Sequence, residues 1–225
     1  MPRLVTAILA RNEAAEDRYL RRVLKRCHEF SDAVLVLDDG STDATAQIAR
    51  DLGCAVASRG EPGAWGAEAP ARRELWERGA SLAGPDGWLL ICDADMILRG
   101  DPRPLTHSWE CAAWAWPLAD VWNSESTARI DGPWAHGPAT PRPWLFRPGA
   151  LAAPAAWNPR GVHCGHAPAN FGEAGVAGVA PEDVYWLHLA YCKPEHRVLK
   201  HAQYMQIADR LSPFERAHAA SILDA

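Results

Sequence analysis

The chain has 225 residues, 23 Lys and Arg against 28 Asp and Glu, and a formal net charge of −5. Acids and bases are interspersed, which argues against a broad nucleic-acid footprint and against an anionic membrane surface as partner. With 48% apolar residues the chain can bury one sizeable α/β core. No apolar run approaches the ~18 residues that cross a bilayer, and Met1-Pro2-Arg3-Leu4-Val5 lacks a charged leader followed by an apolar segment. The expectation is a soluble, cytoplasmic protein.

Leu4 to Ala10 is a β-prone apolar run ending at Arg11-Asn12-Glu13, and Tyr19, Leu20, Val23, Leu24 and Cys27 then recur at helical spacing. Ala33 to Leu37 reads as a second buried strand. It ends at Asp38-Asp39-Gly40-Ser41-Thr42-Asp43, where Ser41 or Thr42 is placed to cap a helix running through Ile48 to Leu52. Gly53 closes that helix and Cys54 to Ala57 gives a third strand. A glycine- and proline-rich loop from Gly60 to Pro70 precedes a helix from Ala71 to Leu82, which leads to the strand Trp88-Leu89-Leu90-Ile91-Cys92. Strands alternating with helices predict a parallel sheet with ligands beyond the carboxyl ends of its strands, where Arg11, Asp38, Asp39, Asp93 and Asp95 all fall.

Asp93-Ala94-Asp95 carries the sharpest chemistry. Two carboxylates one residue apart at a strand end repel each other, and a divalent cation bound to a diphosphate would relieve them; oxygen ligands suit Mg²⁺ or Mn²⁺. The six cysteines form no Cys-x-x-Cys pair and read as reduced, buried small residues. His163, Cys164, His166, Cys192 and His196 match no standard zinc spacing. Eleven tryptophans are an excess for this length; core packing is their ordinary role, while Trp114, Trp116, Trp122, Trp134 and Trp144 are candidates to face a sugar ring.

Taken together, Val5 to Glu13 with its Arg-Asn-Glu ending, the Asp38 to Asp43 turn, Ala71-Arg72 opening a helix, and Ile91-Cys92-Asp93-Ala94-Asp95 make the chain resemble nucleotide-sugar glycosyltransferases of the GT-A fold, family two. The match covers about the first hundred residues. The resemblance implies a Rossmann-like, mostly parallel central sheet flanked by helices. It also implies a single domain over residues 1–225, with 1–100 binding the nucleotide sugar and 101–225 forming a loop-rich acceptor side and C-terminal helices. It further implies that Asp38 and Asp39 bind a pyrimidine nucleoside, uridine first, with Arg11, Glu13, Arg72 and Asp93 around the donor, and that Asp95 ligates the cation.

Later segments extend the resemblance. Pro143-Trp144-Leu145-Phe146-Arg147, Val162-His163-Cys164 and the run from His188 through Tyr191, Glu195 and Arg197 match one branch of the family, and His188 is expected to complete the metal or diphosphate site. Glu195 to Leu211 reads as a terminal helix. The function implied is a metal-dependent, inverting hexosyl transfer from a UDP-sugar, with a protein, glycan, lipid intermediate, small metabolite or modified nucleobase all open as acceptor. An inverting transfer needs a base. Asp131 is the first candidate and His163 the second; Glu182-Asp183 lacks the helical sequel such a pair has in the family, and the family's acid after His163 is here Cys164. Two other readings stand beside this one. A sugar-1-phosphate nucleotidyltransferase would carry a Gly-rich loop where Leu9 to Glu13 has no glycine, and a non-catalytic nucleotide or sugar binder is hinted at by Cys164.

Overall fold

A computed structural model describes residues 2–16, 18–63, 67–158 and 164–224. The first half runs β1 (Leu4–Ala10), α1 (Leu20–His28), β2 (Ala33–Asp38), α2 (Thr45–Asp51), β3 (Ala55–Ser58), α3 (Ala69–Ala83) and β4 (Trp88–Asp93). Next come β5 (Met96–Arg99), β6 (Ala113–Trp116), β7 (Leu118–Trp122), β8 (Ser124–Ala128), α4 (His136–Ala139) and β9 (Arg142–Phe146). The chain finishes with β10 (Ala177–Val179), β11 (Tyr185–His188), α5 (Pro194–Met205) and α6 (Pro213–Ser221).

A seven-stranded sheet has the order β10-β6-β9-β4-β1-β2-β3. From β4 to β3 it is parallel, while β9 runs antiparallel to both β4 and β6. Strand β1 shows why the sheet must be covered on both sides. Leu4 and Ile8 point to the face that packs on Leu20, Val23 and Leu24 of α1, and Val5 and Ala7 to the face that packs on Leu75 and Trp76 of α3. The spacing of Leu20, Val23, Leu24 and Cys27 places all four on one buried stripe of α1.

A second sheet of order β5-β11-β7-β8 is absent from the expectations above. It begins directly after Asp95, so the acidic turn is the corner where the chain leaves the large sheet for the small one. Strand β11 lies antiparallel to β5 and parallel to β7, which puts His188 across from Met96 on one side and Asp120 on the other. Short α4 closes over β7, and Gly137 makes this approach possible: a Cβ there would stand 2.6 Å from the Leu118 carbonyl oxygen.

Three expectations are corrected. Ser41 and Thr42 do not cap α2; the Ser41 hydroxyl accepts from the Asn12 amide at 2.9 Å, the Thr42 amide donates to Asn12 Oδ1 at 2.9 Å, and Asp43 takes the Thr45 amide instead. The terminal helix stops at Met205, and α6 follows under its own capping box formed by Ser212 and Glu215. Trp116, Trp122, Trp134 and Trp144 are core residues, at most 5% exposed. Trp122 and Trp134 join Tyr191, Tyr204 and Ile222 in an aromatic cluster that holds the C-terminal helices down.

Candidate active site

The carboxyl ends of β1, β2 and β4 meet at one rim. At the end of β1, Asn12 adopts a left-handed conformation (φ 55°), unusual for a residue with a side chain, and is held there by its bonds to Ser41 and Thr42. Asp38 and Asp39 are 4% and 8% exposed. Asp38 Oδ1 accepts the Ser41 amide at 3.3 Å. Asp39 is gripped by Arg59 Nη1 at 2.5 Å and by the Gly63 amide at 3.1 Å, while Arg11 Nη1 donates to the Gly63 carbonyl at 2.8 Å. Arg11, Asn12, Asp38 and Asp39 therefore sit together, and Asp39 and Arg11 both anchor the loop at Gly63.

Next along the rim, Arg72 in the first turn of α3 is buried and forms an ion pair with Asp93, Nη1 to Oδ1, at 2.7 Å. Glu68 Oε2 lies 3.5 Å from Arg72 Nη2. The other Asp93 oxygen faces His166 Nε2 at 3.2 Å, and the His166 ring packs on Trp144 with centroids 4.8 Å apart. Burial alone would raise the Asp93 pKa, but the Arg72 and His166 charges outweigh it and hold the carboxyl well below the usual range. Asp93 is thus fixed and ionised by two basic partners.

Asp95 is placed differently. Its Oδ1 is fully buried and has no hydrogen-bond partner among the described residues. His188 Nε2 stands 3.6 Å away, beyond a good hydrogen bond. The Leu189 amide donates to the Asp95 carbonyl at 2.8 Å and so ties β11 to the acidic turn. Burial disfavours charge on His188, yet Asp95 and Asp120 overcome it and push its pKa up to about 10. Lys200 on α5 also feels Asp95 and Asp93 and stays protonated despite burial. Glu13 completes the group: burial first, then the Asp95 charge, push its pKa up to about 7, and its Oε2 is buried without a hydrogen-bond partner among the described residues.

This donor set fits a divalent cation that a diphosphate would help to hold. An orphaned, buried carboxylate oxygen and an imidazole nitrogen face one another, and the other imidazole nitrogen donates to Asp120 at 2.6 Å. Among the described residues no group of three or more His, Cys, Asp or Glu side chains could enclose a metal by itself, so further ligands would have to come from a substrate and water. The open groove of about 570 Å³ at the other end of the sheet, lined by Leu35, Ala55, Val56, Ala57 and Glu77, has no such arrangement.

Several expected residues are not in this group. Asp131 is on the surface, 67% exposed, with both oxygens forked onto Arg129 Nε and Nη2 at 2.7 and 3.0 Å. That hydrogen bonding lowers its pKa, and Arg129 in turn donates to the Ser221 carbonyl of α6. Glu182 and Asp183 are exposed. His163 lies outside the described residues. Of the cysteine and histidine residues weighed for zinc, His166 faces Asp93 while His196 stands edge-on to Tyr19. Conversely, Asp120 and Lys200 were not singled out from the sequence. The short run Leu118-Ala119-Asp120-Val121-Trp122, apolar but for Asp120, was the available signal for a strand carrying Asp120.

No family model and no curated protein matches the chain. Solved structures do. S. aureus TarS 1–349 in complex with UDP superposes with a TM-score of 0.52 at 14% identity, covering 98% of this chain and 69% of that one. A longer S. aureus TarS chain gives 0.51 at 15% identity, with 98% of this chain covering 42% of that one. The mannosyltransferase PcManGT from Pyrobaculum calidifontis, solved with GDP-Man and Mn²⁺, gives 0.52 at 18% identity over 99% of this chain and 70% of that one. At such identities the likeness is one of fold, and the chain has the GT-A α/β architecture: a mostly parallel central sheet flanked by helices, as its strand-end motifs imply.

Proposed function

We propose that the protein is a family-two-like inverting glycosyltransferase that uses a divalent cation, Mn²⁺ or Mg²⁺, to move a hexose from a UDP-linked donor to an acceptor. The observation that carries this reading is the buried Asp95 Oδ1, without a hydrogen bond among the described residues, facing His188 Nε2 at 3.6 Å at the carboxyl end of a parallel sheet. The likeness to chains solved with UDP, and with GDP-Man and Mn²⁺, supports it.

In this reading Asp95 and His188 hold the cation. When bound, the cation would neutralise charge developing on the leaving diphosphate. Asp38 and Asp39 accept hydrogen bonds from the nucleoside, with Arg11 and Glu13 bordering it. Asp93, fixed by Arg72 and His166, presents its remaining lone pairs to the donor's hydroxyls. For the acceptor's proton we favour His163 over Asp131. Its chain neighbour Cys164 is buried and close enough to Arg72, Glu68 and Asp93 to feel their charges, whereas Asp131 is committed to Arg129. No helix among the described residues is long and apolar enough to cross a membrane.

Calorimetry with a nucleotide panel tests the proposal. UDP should bind at least tenfold more tightly with Mn²⁺ than with chelator, because phosphate and carboxylates otherwise repel. Equal affinity in the two conditions would sink the metal assignment. Incubation with a UDP-sugar and candidate acceptors then separates activities: free UDP marks a transferase, pyrophosphate a nucleotidyltransferase, and neither a binder.

A further inference from the structure

A residue with no part in the sequence expectations stands directly behind His188. Asp120, on β7, is the cross-strand partner of His188 on β11, and its Oδ1 accepts the His188 Nδ1 proton at 2.6 Å. Both side chains are largely enclosed, at 14% and 18% exposure. Two more contacts restrict the imidazole. Tyr191 meets the ring edge-on with centroids 5.4 Å apart, and α4 closes over β7 so nearly that a Cβ on Gly137 would stand 3.6 Å from Asp120 Oδ2. The ring is therefore clamped with Nδ1 toward Asp120 and Nε2 toward the orphaned Asp95 oxygen.

We propose that Asp120 is a positioning residue: by holding Nδ1–H it fixes the ring orientation and leaves Nε2 as the nitrogen offered beside Asp95. A carboxylate behind a ligating imidazole also makes the exposed nitrogen a stronger donor. The inference rests on the reading of His188 as a ligand. The plainer alternative is that Asp120 and His188 form an ion pair that only joins β7 to β11. The two differ in whether losing Asp120 weakens cation affinity while His188 is present.

The experiment is a double-mutant cycle on the full chain. Mn²⁺ affinity is read from the electron paramagnetic resonance signal of free Mn²⁺, with and without UDP, for wild type, Asp120→Ala, Asp120→Asn, His188→Ala and the Asp120→Ala/His188→Ala pair. Asp120→Ala should weaken Mn²⁺ binding about 10–100-fold. Asp120→Asn, whose amide oxygen still accepts from Nδ1, should recover part of that loss. In the His188→Ala background Asp120→Ala should have no further effect on Mn²⁺, because its influence passes through the imidazole. UDP affinity measured in chelator should be unchanged by either Asp120 substitution, which a general loss of structure would not spare. If His188→Ala weakens Mn²⁺ while both Asp120 variants bind like wild type, or if the Asp120→Ala effect is additive on His188→Ala, the positioning role is overturned and the ligand reading stands. If His188→Ala itself leaves Mn²⁺ affinity intact, the ligand reading fails and the positioning role with it. Should Asp120→Ala not fold, Asp120→Asn alone and on His188→Ala forms the same cycle.

Discussion

Replacing Glu13 by Gln should change how stability depends on pH in a way that can be worked out beforehand. The Glu13 carboxyl is 17% exposed, its Oε2 lacks a hydrogen-bond partner among the described residues, and burial followed by the Asp95 charge raises its pKa from 4.5 to about 7. Between those two values the folded chain holds a proton that the unfolded chain has released. Stability therefore falls as pH rises through this window, the reverse of the usual carboxylate behaviour. At about 1.4 kcal/mol per pH unit the full penalty is about 3 kcal/mol, most of it incurred between about pH 5 and pH 8. Gln matches the protonated acid in shape and cannot ionise, so Glu13→Gln should be close to wild type near pH 5 and more stable by about 2–3 kcal/mol near pH 8.5. Urea denaturation of the metal-free proteins at several pH values gives the difference directly, and other titrating groups cancel in the comparison. Parallel curves for the two proteins would refute the reasoning and place Glu13 in a wetter setting than its geometry implies.

His188→Ala should lower Mn²⁺-dependent UDP affinity at least tenfold by calorimetry. Its folded pKa is raised from 6.5 to about 10, so the stability it adds is full below about pH 6.5 and lost as pH rises through about 10; denaturant titration should show an alkaline decline in wild type that is shallower in the variant. Asp131→Asn should leave sugar transfer within about twofold, since the carboxylate is spent on Arg129; a loss of about a hundredfold would restore Asp131 as the base. Ser212→Ala removes one half of the α6 capping box and should cost about 1 kcal/mol in urea denaturation, with no change in UDP binding.

The parallel half of the fold was readable because its signals are local. Apolar runs stopping at Arg11, Asp38 and Asp93 mark buried strands whose ends open on a site, and the four-residue periodicity of α1 is unambiguous. The small sheet was not readable, because β5, β7, β8 and β11 are only four or five residues long and its central strand β11 finds β5 and β7 far back in the sequence, His188 opposite Met96 and Asp120. Asp120 was missed with it, since nothing around Asp120 announces that His188 lies opposite. Tryptophan was misread for another reason: composition says how many rings there are, and only packing says that Trp116 and Trp144 are inside. The capping box of α6, by contrast, was present as Ser212-Pro213-Phe214-Glu215 and was hidden only by extending the preceding helix through Gln206 to Leu211. Asp131 illustrates the limit of residue-type reasoning, because its fork onto Arg129, two positions away in sequence, is visible only in the structure.

The acidic corner between the two sheets has a consequence for how the chain comes into being. During synthesis Asp93 and Asp95 emerge early, while His166, His188 and Lys200, which offset their charge, emerge only after much of the second half has been made. Strand β4 likewise waits for β9 to cover its open edge. Until β11 arrives the nascent protein carries a rim of carboxylates offset by Arg72 on Asp93 and Arg59 on Asp39. A chain cut short before β11 would lack the imidazole that faces Asp95, so the pairing of Asp95 with His188 exists only once translation has passed His188.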